Sequence, residues 1–85
     1  MSDTVNDQQE LSFGEQAVGL SFNPSGDPKV IELKKHYAAI IDILHEDRGE
    51  HRDERARLAS VGITEAQGAQ MWAVKAVTFP QNRTV

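Results

Sequence analysis

With 85 residues, 9 lysines and arginines against 13 acids, and a net charge of -4, the chain has room for one domain. It lacks the basic excess with which proteins neutralise the many phosphates of a nucleic-acid polymer. There is no cysteine, which removes disulfides, thiolate zinc sites and cysteine nucleophiles together and fits a reducing compartment.

A domain of this length buries about 60% of its unfolded surface. Without disulfides, and without a compact metal motif, self-association is the remaining source of additional core. The longest apolar runs are a few residues, far short of the roughly 20 that a transmembrane helix needs. Met1 to Glu10 lack the basic start and apolar stretch of a signal peptide, so a cytoplasmic protein without a membrane partner is expected.

Residues 1–10 are polar and aperiodic and are expected to form a flexible tail. The domain is expected over 11–80, and 81–85 are expected to form a C-terminal tail. Ser12 and Glu15 have the spacing of a capping box, which predicts a helix start, and Gly19 ends that helix after two turns or fewer. Phe22-Asn23-Pro24-Ser25-Gly26-Asp27-Pro28 is dense in turn formers and closes on an Asp-Pro pair suited to an N-cap followed by the first helical position.

A long helix is predicted from Pro28. Val30, Leu33, Tyr37, Ile40 and Leu44 form one apolar row and Ile31, Ala38, Ile41 and His45 a second. Lys29, Glu32, Lys34, Lys35 and Asp42 are expected largely on the opposite, solvated or ligand-facing side. Residues 46–54, charged and centred on Gly49, carry no large apolar side chain and predict the bend of a hairpin.

The last helix is predicted from about Arg52 to Thr78, ending at Phe79-Pro80. One side, Ala59, Gly62, Ile63, Ala66, Ala69, Ala73 and Ala76, is small enough to admit a partner backbone. A second carries Leu58, Val61, Met71, Trp72 and Val74. Between 69 and 77 only Gln70 and Lys75 are polar, so this end is expected to be buried on several sides by other subunits. The fold class is therefore all-α: a short N-terminal helix followed by a long antiparallel hairpin.

Catalytic chemistry finds little support. His36, His45 and His51 match no compact zinc spacing, no serine sits in a nucleophile elbow, and the acids cluster in the bend and the tail. No catalytic residue, metal site or cofactor is assigned. Anion binding has more to work with, since Ser25-Gly26-Asp27 stands at a helix start, although the Asp27 carboxylate would itself fill that cap. Phe22 beside Asn23 offers a ring and an amide of the kind that a nucleobase stacks on and pairs with. Arg55 and Arg57 lie roughly 200° apart around a helix, so they share a pocket only if another element or subunit closes around them. A capped turn, a loop phenylalanine and solvated charges account for the same residues without a ligand.

The segment Gly19-Leu20-Ser21-Phe22-Asn23-Pro24-Ser25-Gly26-Asp27-Pro28, followed by a helix, by Arg55-Ala56-Arg57-Leu58-Ala59 and by Gln70-Met71-Trp72-Ala73-Val74-Lys75-Ala76-Val77-Thr78, resembles the hairpin domain shared by phage anti-CBASS and anti-Thoeris proteins over about residues 11–80. The resemblance implies an intertwined homo-oligomer, typically a hexamer, in the cytoplasm of an infected bacterial host. Such an assembly sequesters cyclic dinucleotides, cyclic trinucleotides or cyclic ADP-ribose isomers intact between subunits and blocks CBASS-type effectors. By motif position it places ligand contacts on Phe22, Asn23 and Ser25, on Lys34 or Lys35, and on Arg55 and Arg57. The polar tail before Leu11, where the anti-Thoeris branch usually has strand-forming sequence, favours the short anti-CBASS type over binding of cyclic ADP-ribose isomers. The competing reading is a helical hairpin that binds a protein through Met71 to Val77 and has no nucleotide site.

Overall fold

The computed structural model describes residues 10–80; apart from Glu10, the tails expected at 1–10 and 81–85 lie outside them. Three helices follow one another: α1, Phe13–Ala17; α2, Pro28–Arg48; and α3, Glu54–Thr78. The described residues contain no strand. Arg48, at the end of α2, donates to Ser60 near the start of α3 at 2.9 Å. Val30 and Lys34, at the start of α2, line a cleft with Val74 and Thr78 at the end of α3. The two long helices are therefore antiparallel, as expected for a hairpin.

Local chemistry sets the boundaries. The Ser12 hydroxyl accepts from the Glu15 amide at 3.1 Å while the Glu15 carboxylate accepts from the Ser12 amide at 2.9 Å, a reciprocal cap that satisfies two free N–H groups. α1 stops at a glycine turn, with Gly19 at φ 64°. The Asp27 carboxylate accepts from the Lys29 amide at 2.9 Å, with Pro28 at the first helical position. Asp53 caps α3 through the Ala56 amide. The bend is confined to residues 49–53, shorter than the charged segment suggests, because Glu46, Asp47 and Arg48 still belong to α2.

The buried stripe of α2 runs Val30, Lys34, Ala38, Ile41, meeting Val18, Ala59 and Ile63 from the other elements. This corrects the expected register in two ways. Ile40, placed on the buried row by its spacing, is 46% exposed. Lys34, placed on the solvated side, is 5% exposed; its position four residues after Val30 and four before Ala38 puts it on the core stripe. Asp42, also expected in solvent, is half-buried against α1.

Part of the small-residue row of α3 turns inward, while Ala69 and Ala76 are exposed. Ala59 and Ile63 are buried and Ala66 packs on the core, while a Cβ on Gly62 would stand 3.0 Å from Leu44 Cδ1. At these positions it is α2 of the same chain that approaches closely.

α1 lies along α2. Phe13 stacks on the His45 ring at 3.9 Å with 8° between planes, beside the Arg48 guanidinium. The Cα trace measures 12 Å in its narrowest direction, so the helices make a thin slab, and large apolar side chains remain on its surface: Ile43, Leu58, Val61, Met71 and Trp72.

Candidate ligand cleft

Where the start of α2 meets the end of α3, a cleft of about 190 Å³ is lined by Phe22, Asn23, Pro24, Ser25, Val30, Lys34, Val74 and Thr78. Its walls are mainly apolar. The loop between α1 and α2 forms one side, and Phe22 stands 70% exposed at its edge, an arrangement that leaves the ring's surface open to stacking.

The single ionisable group in the lining is Lys34. Its ammonium donates to the Gly19 carbonyl at 2.9 Å and to the Phe22 carbonyl, and it sits 5.5 Å from the centroid of the Phe22 ring. Burial pushes its pKa below the ordinary lysine value, because desolvation disfavours the charged form. An ammonium has three N–H donors. Two are engaged by the loop, which leaves a third.

Asn23 and Ser25 line the same cleft, but their polar atoms also build the turn. Ser25 Oγ donates to Asn23 Oδ1 at 2.9 Å and accepts from the Asp27 amide at 3.1 Å. Asn23 Nδ2 donates to the Asp27 carbonyl at 3.2 Å. With the Asp27 carboxylate on the Lys29 amide, the cap at the start of α2 is already filled by the chain itself.

Of the residues singled out by sequence, Phe22, Asn23, Ser25 and Lys34 come together here. Lys35 is exposed and outside the lining. The sequence reading missed Pro24, Val30, Val74 and Thr78. Val74 and Thr78 share a face at i, i+4, and the antiparallel hairpin brings that face to the α2 start.

Arg55 and Arg57 lie at the opposite end. Arg55 pairs with Asp47 across the bend, including a 3.0 Å bond from Nε. Arg57 reaches back to Glu54 on its own helix at 2.6 and 2.9 Å. Both pairs are exposed. Each arginine holds its carboxylate partner below the usual pKa range, chiefly through the hydrogen bond. At 1.5 Å per residue, these arginines stand about 25–35 Å along α3 from Val74 and Thr78. One chain therefore cannot bring both groups to one small ligand.

Among the described residues, no three histidine, aspartate or glutamate side chains converge as metal ligands, and no helix is long and apolar enough to cross a membrane. Residues 15–78 match the sequence pattern of the Acb2/Tad1 hairpin domain. No curated protein and no solved structure matches the chain.

Proposed function

The chain belongs to the Acb2/Tad1 hairpin-domain family, known for anti-defence cyclic nucleotide sponges, and from that premise we propose that it sequesters cyclic dinucleotides or trinucleotides of bacterial immune signalling in the host cytoplasm, without cleaving them. The family is one of binding domains, not catalytic ones. The observation that carries the reading here is the cleft: an exposed aromatic ring beside a buried ammonium with one donor to spare.

The proposed division of labour follows from the chemistry. Phe22 stacks on a base, and the apolar walls of Val30 and Val74 dry the contact, which strengthens the polar interaction with Lys34. Phosphate charge is met by Arg55 and Arg57 of another copy, since guanidinium groups pair bidentately with phosphate oxygens.

A homo-oligomer, with a hexamer as the family expectation, supplies that second copy. Leu58, Val61 and Trp72 lie exposed on α3 at spacings of three and eleven residues, which keeps them on one side of the helix. Two copies packed through this stripe with their α3 helices antiparallel would bury it. Val74 and Thr78 stand roughly 160–200° around α3 from Leu58 at 100° per residue, so the copy whose arginines meet the cleft packs on a different face of the hairpin.

Titration calorimetry with cyclic dinucleotides, cyclic trinucleotides and a cyclic ADP-ribose isomer tests the proposal when followed by heat release and chromatography of the ligand. Tight binding with intact recovery is the expected result. Linear products would make the protein an enzyme. Failure to bind any of them would leave the protein-binding hairpin, favoured by the 63% and 73% exposure of Met71 and Trp72.

A further inference from the structure

Lys34, Ala38 and Asp42 occupy successive turns of α2 at i, i+4 and i+8, so they form one row, and the segment from Ser12 to Phe22 lies along it. Asp42 holds the start of that segment: Oδ2 accepts from the Ser12 hydroxyl at 2.7 Å and Oδ1 from the Gly14 amide at 2.6 Å. Ala38 takes the middle, where a Cβ on Gly14 would lie 2.1 Å from the Ala38 carbonyl oxygen. Lys34 holds the far end through the Gly19 and Phe22 carbonyls.

The charges match what the backbone offers. A helix start presents unpaired N–H groups and the chain beyond its end presents free carbonyls, so a carboxylate suits the first and an ammonium the second. The contacts link in series. Ser12 and Gly14 fix α1, the Gly19 turn follows α1 directly, and Phe22 is bonded back to Gly19 by its amide at 2.9 Å. The aromatic edge of the cleft therefore hangs from two anchors, one of which is more than two helical turns from it.

We propose that Asp42 is a positioning residue for the cleft: without touching a ligand, it sets the place of Phe22 by pinning α1. The effect on affinity rests on the sponge reading; the mechanical coupling does not.

Hydrogen exchange by mass spectrometry on the full chain, with Asp42→Asn and the milder Ser12→Ala, separates the two. Each substitution is expected to speed exchange in residues 12–18 and also in 19–27, while segments around Ala59 and Ile63 keep wild-type protection and the oligomeric mass stays the same. Affinity for the best-bound cyclic nucleotide should fall about tenfold for Asp42→Asn, the equivalent of one charged hydrogen bond, and less for Ser12→Ala. Faster exchange confined to 12–18 with 19–27 unchanged would overturn the proposal. So would acceleration spread equally through α2 and α3, which is the signature of general destabilisation. If the wild-type protein binds no cyclic nucleotide, the functional reading fails, and the exchange pattern still decides whether Asp42 positions the loop.

Discussion

The two ends of the hairpin use charge in opposite ways. At the cleft end, the Lys34 ammonium is buried and spends its hydrogen bonds on backbone carbonyls. At the bend, Arg55 and Arg57 pair with Asp47 and Glu54 in open solvent. A buried charge is costly to leave unpaired, so its partners are fixed in place. An exposed pair is screened and contributes little to stability. The first kind of charge builds a shape, and the second can exchange its carboxylate for a phosphate at small cost.

The largest expected break in this contrast is Gly14→Ala. Its methyl group meets a backbone carbonyl, which cannot rotate away, so α1 must shift. Overpacking of this kind costs about 1–3 kcal/mol, visible as a lower urea midpoint. Lys34→Met is next: it leaves the Phe22 carbonyl without its donor and the Gly19 carbonyl with the Phe22 amide alone, a loss of about 1–2 kcal/mol in the same assay, and it should remove binding in the calorimeter.

Lys34 also shows where sequence reading stops. The caps at Ser12 and Asp27 depend on residues within three positions, and the end of α3 depends on the Phe79-Pro80 step, so these boundaries and the hairpin were legible, whereas the Asp53 cap was hidden among the several acids around Gly49. The partners of Lys34 lie 12 and 15 residues earlier in sequence, on carbonyls that every residue possesses. Composition cannot single them out. One signal was available: the spacing of Lys34 between Val30 and Ala38 places it on the buried stripe, but its charge assigned it to solvent. Ile40 was misplaced because its row of three- and four-residue spacings runs beside the buried stripe of Val30, Lys34, Ala38 and Ile41, and Ile40 stands at the outer edge of that row. The clustering of Phe22, Asn23 and Ser25 was legible because they are adjacent in the chain. That Val74 and Thr78 complete the cleft required the hairpin's register.

At the bend, smaller effects are expected. Arg55→Ala and Arg57→Ala should barely move Tm while weakening ligand binding clearly, whereas Gly14→Ala should lower both stability and binding. The smallest effect is on acid stability. Asp47 and Glu54 have folded pKa values below their ordinary 3.8 and 4.5. Their pairing therefore stabilises the fold above those values and is lost as pH falls through the depressed ones. In a pH series of thermal melts, the slight Tm advantage of the wild-type protein over the double arginine variant should shrink below pH 3.8.

The central claim is that one ligand site is divided between copies, with the cleft of one chain facing the arginines of another. Calorimetry on mixed oligomers made by co-expressing Lys34→Met with Arg57→Ala tests it most directly, because each variant alone has every site damaged. Random pairing should restore an intact cleft facing intact arginines at about a quarter of the sites, since each site draws its two halves independently from equivalent copies. Recovery of binding with that stoichiometry is the predicted result. A mixture that binds no better than either variant alone, while the wild-type protein binds, would contradict the claim.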